Sequence, residues 1–182
     1  MKFTLAEKVN MTQLFDQNGR VVPATILKSK GVTVTGLRTK DRDGYDAIQV
    51  KSNISNVIRE FRTNFGDLQI GATIAADIFS TGDIVKISGT TKGKGFQGVV
   101  KRHGFKGGWA QHGQKHSSRE AGSIGSTGQQ RVDRGKKMAG RMGSDHMTFK
   151  SVEILDVDTE NGLILVKGQV PGSRGSLIEI RG

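Results

Sequence analysis

The sequence predicts a mainly β fold: a small β-barrel built from both chain halves, one short helical lobe, and a long irregular basic extension inserted between strands. Three observations predict it. Short apolar or alternating runs, bounded by Gly, Asn and Asp, recur through residues 2–50, 68–89 and 147–180. One stretch, residues 53–65, instead places Ile54, Val57, Ile58, Phe61 and Phe65 at the i, i+3, i+4, i+7, i+11 spacing of a helix. Between the two β-patterned parts lies a segment, Thr90 to Gly143, that follows neither period.

Taken in order, Val21–Val22, Ala24–Leu27, Val32–Leu37 and Ala47–Val50 are strand candidates. Gln17-Asn18-Gly19, Lys30-Gly31 and Asp43-Gly44 separate them as turns. Pro23 donates no backbone hydrogen bond, so it belongs at an edge or a strand start. Asn53 is placed to cap the 53–65 helix and Gly66 to end it. Arg59 and Arg62 sit off its apolar stripe, facing either solvent or phosphate. Strands follow at Leu68–Ile70, Thr73–Phe79 and Asp83–Ser88. After the insert come Met147–Asp158 and Leu163–Val170, joined by Glu160-Asn161-Gly162, a strong hairpin signal. A last strand spans Ser176–Ile180. Many short strands need covered edges, and a closed barrel covers them. The body is therefore residues 1–89 and 144–182, and the extension is 90–143.

The 54-residue segment Thr90–Gly143 holds 13 of the 26 glycines and 12 Lys/Arg against two acids, Glu120 and Asp133. Its net charge is +10, nearly the whole chain's +11. Its apolar residues are few and scattered, so alone it buries too little to offset chain entropy. Glycines permit close approach to a partner, and cations call for anions. Nucleic acid supplies a surface and dense negative charge together. A solvated basic linker is the plain alternative; the mixture of Phe, Trp, His, Gln and paired Lys argues against it.

Composition narrows the rest. At 182 residues and 34% hydrophobic content, one modest core fits. The absence of Cys excludes disulfides, thiolate metal sites and cysteine nucleophiles. The N-terminal stretch, with Glu7 and Asp16 and no apolar run, is not expected to be a signal or transit peptide. No apolar run approaches the ~18 residues of a membrane-spanning helix. The insert lacks an amphipathic membrane-binding pattern.

Gly93-Lys94-Gly95-Phe96-Gln97-Gly98 matches G-x-G-x-x-G after a strand, but Gly104, Gly107 and Gly108 interrupt any following helix and no βαβ unit follows. Dinucleotide binding is not expected; the same glycines, with Lys92, Lys94, Lys101 and Arg102, can lie against phosphates instead. His112 and His116 have the spacing of a helical metal pair, yet Gly113 and the lack of further ligands argue against zinc. Ser117, Ser118, Ser123 and Asp133 offer no triad context. Trp109 and Phe105 either stack on bases or anchor the insert to its own protein. Met138 and Met142 pack together or against the body.

These stretches together resemble a known family. GTTKGKGFQGVVKRHGF (Gly89–Phe105), HGQKHSSR with AGSIG (His112–Gly125), GKKMAGRMG (Gly135–Gly143) and LILVKGQVPGSRGSLI (Leu163–Ile178) occur in the order seen in the universal third protein of the large ribosomal subunit, bacterial and organellar type. KVNMTQLF (Lys8–Phe15) and DGYDAIQV (Asp43–Val50) add support. The resemblance implies a non-enzymatic, structural protein of the cytoplasmic ribosome, with an organellar ribosome as the alternative. It implies a barrel at the subunit surface and an extension threading large-subunit rRNA (23S class) toward the peptidyl transferase centre. It also implies early binding in assembly, neighbouring large-subunit proteins as partners, and no cofactor, metal, membrane or small-molecule substrate.

On that reading the rRNA-binding residues are Lys92, Lys94, Lys101, Arg102, His103, Lys106, Trp109, His112, Lys115, His116, Arg119, Arg131, Arg134, Lys136, Lys137 and Arg141. The tip comprises Ser123, Ile124, Gly125, Gln129 and Gln130. The chain departs from the family pattern at Asn10, at Ala121 and at Gly128-Gln129-Gln130, and its helical lobe is shorter. Many bacterial members carry a methylated tip glutamine; the sequence assigns that role to neither Gln129 nor Gln130.

Overall fold

The computed structural model describes residues 2–63 and 68–182. These residues divide into two compact units, 2–91 with 146–182 and 92–145. The fold is mainly β, as expected.

Twelve strands run in chain order among the described residues. They are β1 (Phe3–Phe15), β2 (Val21–Lys28), β3 (Val32–Arg38), β4 (Ala47–Ser52), β5 (Ile58–Phe61), β6 (Thr73–Ile74), β7 (Ile84–Thr90), β8 (Phe96–Gln97), β9 (Gly140–Arg141), β10 (His146–Asp158), β11 (Leu163–Lys167) and β12 (Leu177–Arg181). Two short helices join them, α1 (Lys40–Asp43) and α2 (Val99–His103).

In the first unit, six antiparallel strands close a ring in the order β1-β12-β7-β10-β11-β2, with β2 returning to β1. Strands from before and after the insert are interleaved round it. Leu27, Ile87, Ile154, Ile164, Val166, Ile178 and Ile180 fill the interior. Each such side chain withdrawn from water stabilises the fold by about 1.5–3 kcal/mol. Pro23 lies past the last β2–β11 pair, Lys167 with Ala24, so no ladder bond is lost there.

A second sheet, β5-β4-β3-β6, packs on the outside of β1 and β12. Alternation along β1 explains how. Ala6 points into the ring, while Phe3 and Leu5 point to the second core, with Val32, Val34, Ile48, Val50 and Phe61. Strand β12 divides likewise: Ile178 and Ile180 inward, Leu177 outward. Period 2 sends successive side chains to opposite faces, so one strand serves two cores.

The helical lobe expected over 53–65 is not formed over its described part, residues 53–63. The chain turns at 53–56 and continues as β5, which pairs with β4 from Lys51↔Ile58 to Ile48↔Phe61. Asn53 does not cap a helix: its side chain accepts from Thr33 Oγ1 at 2.9 Å and donates to the Lys30 carbonyl. Asn56 adopts a left-handed φ of 55°, which breaks the helical path. The apolar stripe is not shared either, since Phe61 is buried and Ile58 is exposed. Pairing with the open edge of β4 outweighs a helical spacing built largely from β-branched residues. Phe65 and Gly66, the end of the expected helix, lie outside the described residues. Leu68–Ile70 is not a strand, and of Thr73–Phe79 only Thr73–Ile74 pairs, followed by a 3-10 turn over Ala76–Ile78. Arg59 pairs with Glu179 at 3.2 Å, and the Arg62 guanidinium lies 5.1 Å from the Tyr45 ring centroid. Both cations are thus engaged within their own unit.

Candidate nucleic-acid interface

The insert leaves at the end of β7 and returns at the start of β10, where Thr90 and His146 are cross-strand partners. Its own unit, 92–145, begins with a narrow two-stranded root. Lys94 N–H donates to the Met142 carbonyl and Met142 N–H to the Gly95 carbonyl, both at 2.9 Å. Phe96 then pairs with Arg141 and Gln97 with Gly140 in β8 and β9. Gly143 has φ 78°, and a Cβ there would collide with the Lys92 carbonyl oxygen, so only glycine lets the strands pass.

A helix does follow the G-x-G-x-x-G run, but it is the five-residue α2, closed by Gly104 in left-handed backbone. No phosphate-binding βαβ unit is built. Helix α2 instead anchors the returning chain. Arg102 Nη1 donates to the Met138 carbonyl at 2.7 Å, and His103 Nε2 lies 3.0 Å from the same oxygen. A carbonyl only accepts, so His103 carries its proton on Nε2 when this bond forms.

The middle of the unit is a loop closed at its base. Gly108 N–H donates to the Ser118 carbonyl at 3.1 Å. A side chain on Gly107 would strike that same carbonyl. His112 and His116 lie in this irregular stretch, not one helical turn apart, and His112 has φ 58°. Among the described residues no three His, Cys, Asp or Glu side chains gather as a metal set.

The two aromatics left open by the sequence part company. Phe105 is half-buried, its ring 6.1 Å from that of His103. Trp109 is 77% exposed and lines an open pocket with Gln111, His112 and Gln114. Over the residues expected at the tip, Ser123 Oγ donates to the Gly125 carbonyl, and Thr127–Gln129 form one 3-10 turn that ends at Gln130 with φ 50°. Ser123, Ile124, Gly125, Gln129 and Gln130 are all exposed.

The cations are what the unit presents. Lys92, Lys94, Lys101, Lys106, Lys115, Arg119, Arg131, Arg134, Lys136, Lys137 and Arg141 are exposed, and Arg102 is half-buried. Among the described residues, none of these side chains takes part in an ion pair. Val99 is the one apolar side chain of 92–145 that is buried among the described residues. The structure brings Arg102 and His103 together on Met138 and sets Trp109 beside His112; the other cations are strung along the surface. Sequence reasoning misses Phe96, which is 76% exposed on β8. Its neighbours Gly95 and Gln97 carry no signal separating an outward Phe from a core one.

A β body with a separate cationic, glycine-rich unit is the make-up of a ribonucleoprotein component, and comparison with known proteins agrees. The family model described as Ribosomal protein L3 matches residues 5–163. The proteins named large ribosomal subunit protein uL3 of Bacillus thuringiensis and Bacillus cereus are each 40% identical over 203 residues, spanning all of this chain and 96% of theirs. The chain belongs to the ribosomal protein L3 family, whose members are structural, non-enzymatic parts of the large ribosomal subunit.

Proposed function

We propose that this chain is an rRNA-binding structural protein of the large ribosomal subunit. The six-strand ring serves as its β-barrel body, and residues 90–143 serve as an extension that takes its seat in large-subunit rRNA, running toward the peptidyl transferase centre. Binding occurs early in assembly, and neighbouring large-subunit proteins share the site. One observation carries this reading: a 54-residue unit, 92–145, buries only Val99 among its described apolar side chains while offering a line of cations free of ion pairs. Such a unit gains little from its own packing and much from neutralising phosphates. Lys92, Lys94, Lys101, Lys106, Lys115, Arg119, Arg131, Arg134, Lys136, Lys137 and Arg141 meet backbone phosphates. Arg102 and His103 shape the unit from within as well as facing RNA. His112, His116 and the tip residues Ser123, Ile124, Gly125, Gln129 and Gln130 fill gaps between RNA segments.

The test compares the full chain with one in which residues 90–143 are replaced by a short Gly-Ser link. Binding to large-subunit rRNA is measured across a salt series. The shortened chain is expected to lose most of its affinity and most of its salt dependence. Full retention of both would sink the reading.

A further inference from the structure

We infer that the closed loop from Gly108 to Ser118 is a stacking site for one unpaired RNA base, with the Trp109 indole as its platform. The inference rests on the rRNA-binding reading and assigns this loop a contact of a different kind from the phosphate contacts around it.

Four features of the loop support it. Its ends are tied by the Gly108 to Ser118 hydrogen bond, and Gly107 leaves no room for a side chain against the Ser118 carbonyl. The loop is therefore held shut at its base, and Trp109 is presented from a fixed footing. Second, Trp109 is 77% exposed, although a Trp is among the costliest side chains to leave in water. Third, His112 turns the chain with a left-handed backbone at φ 58° and is exposed. A turn of this kind keeps the imidazole on the open side of the loop, within reach of a ligand seated on Trp109. Fourth, the Gln114 amide is oriented by its own hydrogen bond, Nε2 donating to Ser117 Oγ at 2.5 Å.

Together Trp109, Gln111, His112 and Gln114 line an open pocket of about 460 Å³. Its chemistry selects the occupant. An indole face accepts any base by stacking, and amide and imidazole groups can hydrogen-bond to base edges. An apolar side chain from a protein would meet those same polar groups without satisfying them. Lys106 and Arg119 flank the loop in sequence and Lys115 lies within it; all three are exposed, available to the phosphates on either side of the base.

Trp109 is the sole tryptophan, so its emission reports on this loop alone. The full chain would be titrated with a short single-stranded RNA, with the same sequence as a duplex, and with inorganic polyphosphate. Single-stranded RNA is expected to quench the emission strongly, and duplex and polyphosphate only weakly. Trp109→Ala should weaken single-strand binding about tenfold and leave polyphosphate binding unchanged, and Trp109→Phe should restore most of the loss. Quenching by polyphosphate as strong as that by RNA, or unchanged single-strand affinity in Trp109→Ala, overturns the stacking site while rRNA binding stands. A wild-type chain that binds neither large-subunit rRNA nor single-stranded RNA better than polyphosphate overturns both.

Discussion

The rings of Phe3 and Phe61 stack with their centroids 4.7 Å apart and 22° between their planes. Phe3 belongs to the ring strand β1, and Phe61 to the second sheet, so this pair fastens one sheet to the other. The Arg181 guanidinium lies over the Phe61 ring at 4.7 Å. Truncating Phe61 to Ala removes the stack and leaves a cavity at a site 1% exposed. The expected cost is about 3–5 kcal/mol, read from the urea midpoint at constant m-value. A loss below about 1 kcal/mol, the typical effect of an average substitution, would mean the two sheets are not joined through this residue.

The root of the insert depends on Gly143. Gly143→Ala places a Cβ against the Lys92 carbonyl in a left-handed backbone. The backbone term alone costs about 1–2 kcal/mol. Hydrogen exchange should show reduced protection at the Lys94 and Met142 amides, while Ile87 and Ile180 in the ring keep theirs. Equal weakening in both places would contradict a root that opens by itself.

Acid should loosen the second sheet. Glu60 accepts from Gln49 Nε2 at 2.6 Å, Tyr45 Oη at 2.9 Å and Arg38 Nε at 3.4 Å. The hydrogen bonds from Gln49 and Tyr45, with help from Arg38, hold its carboxyl below the usual range against partial burial. Burial pushes the Asp43 carboxyl up, but the Arg38 hydrogen bond, the Thr39 N–H and the nearby arginines together bring it below its ordinary value. A depressed folded pKa adds stability above the unfolded value, about 4 for these groups, and the addition is lost as pH falls through the folded value. Stability of the wild type should therefore drop more steeply below about pH 4 than that of Glu60→Gln. Parallel pH profiles would exclude Glu60 as a source.

Removing the paired cations Lys136 and Lys137 should weaken rRNA binding without touching the fold. The slope of log affinity on log salt should shrink by roughly 0.7–0.9 for each phosphate left without its cation. Lys136→Gln with Lys137→Gln is expected to remove two such increments. An unchanged slope would place these side chains away from RNA.

The β pattern is legible in the chain because alternation and turn chemistry are local. Asn161-Gly162 marks the β10–β11 hairpin, and there Asp158 accepts from the backbone and side-chain nitrogens of Asn161. The cationic insert is equally plain, since charge and glycine content are sums over residues and do not depend on folding. The 53–65 segment misleads because helical spacing is also local, whereas the waiting edge of β4 is not. The same limit hides the fates of Arg59 and Arg62, whose partners Glu179 and Tyr45 come from elsewhere in the chain. It also leaves Trp109 and Phe105 indistinguishable, although one faces out and the other turns in beside His103.

Residue order thus settles this chain's strand-rich character and where its positive charge accumulates, because both follow from composition and short-range periodicity. It does not settle which strands meet. The closure of β1 on β12 and the use of β1 by two cores depend on contacts between residues far apart in the chain. Those contacts exist only once packing has chosen among partners that look alike one segment at a time.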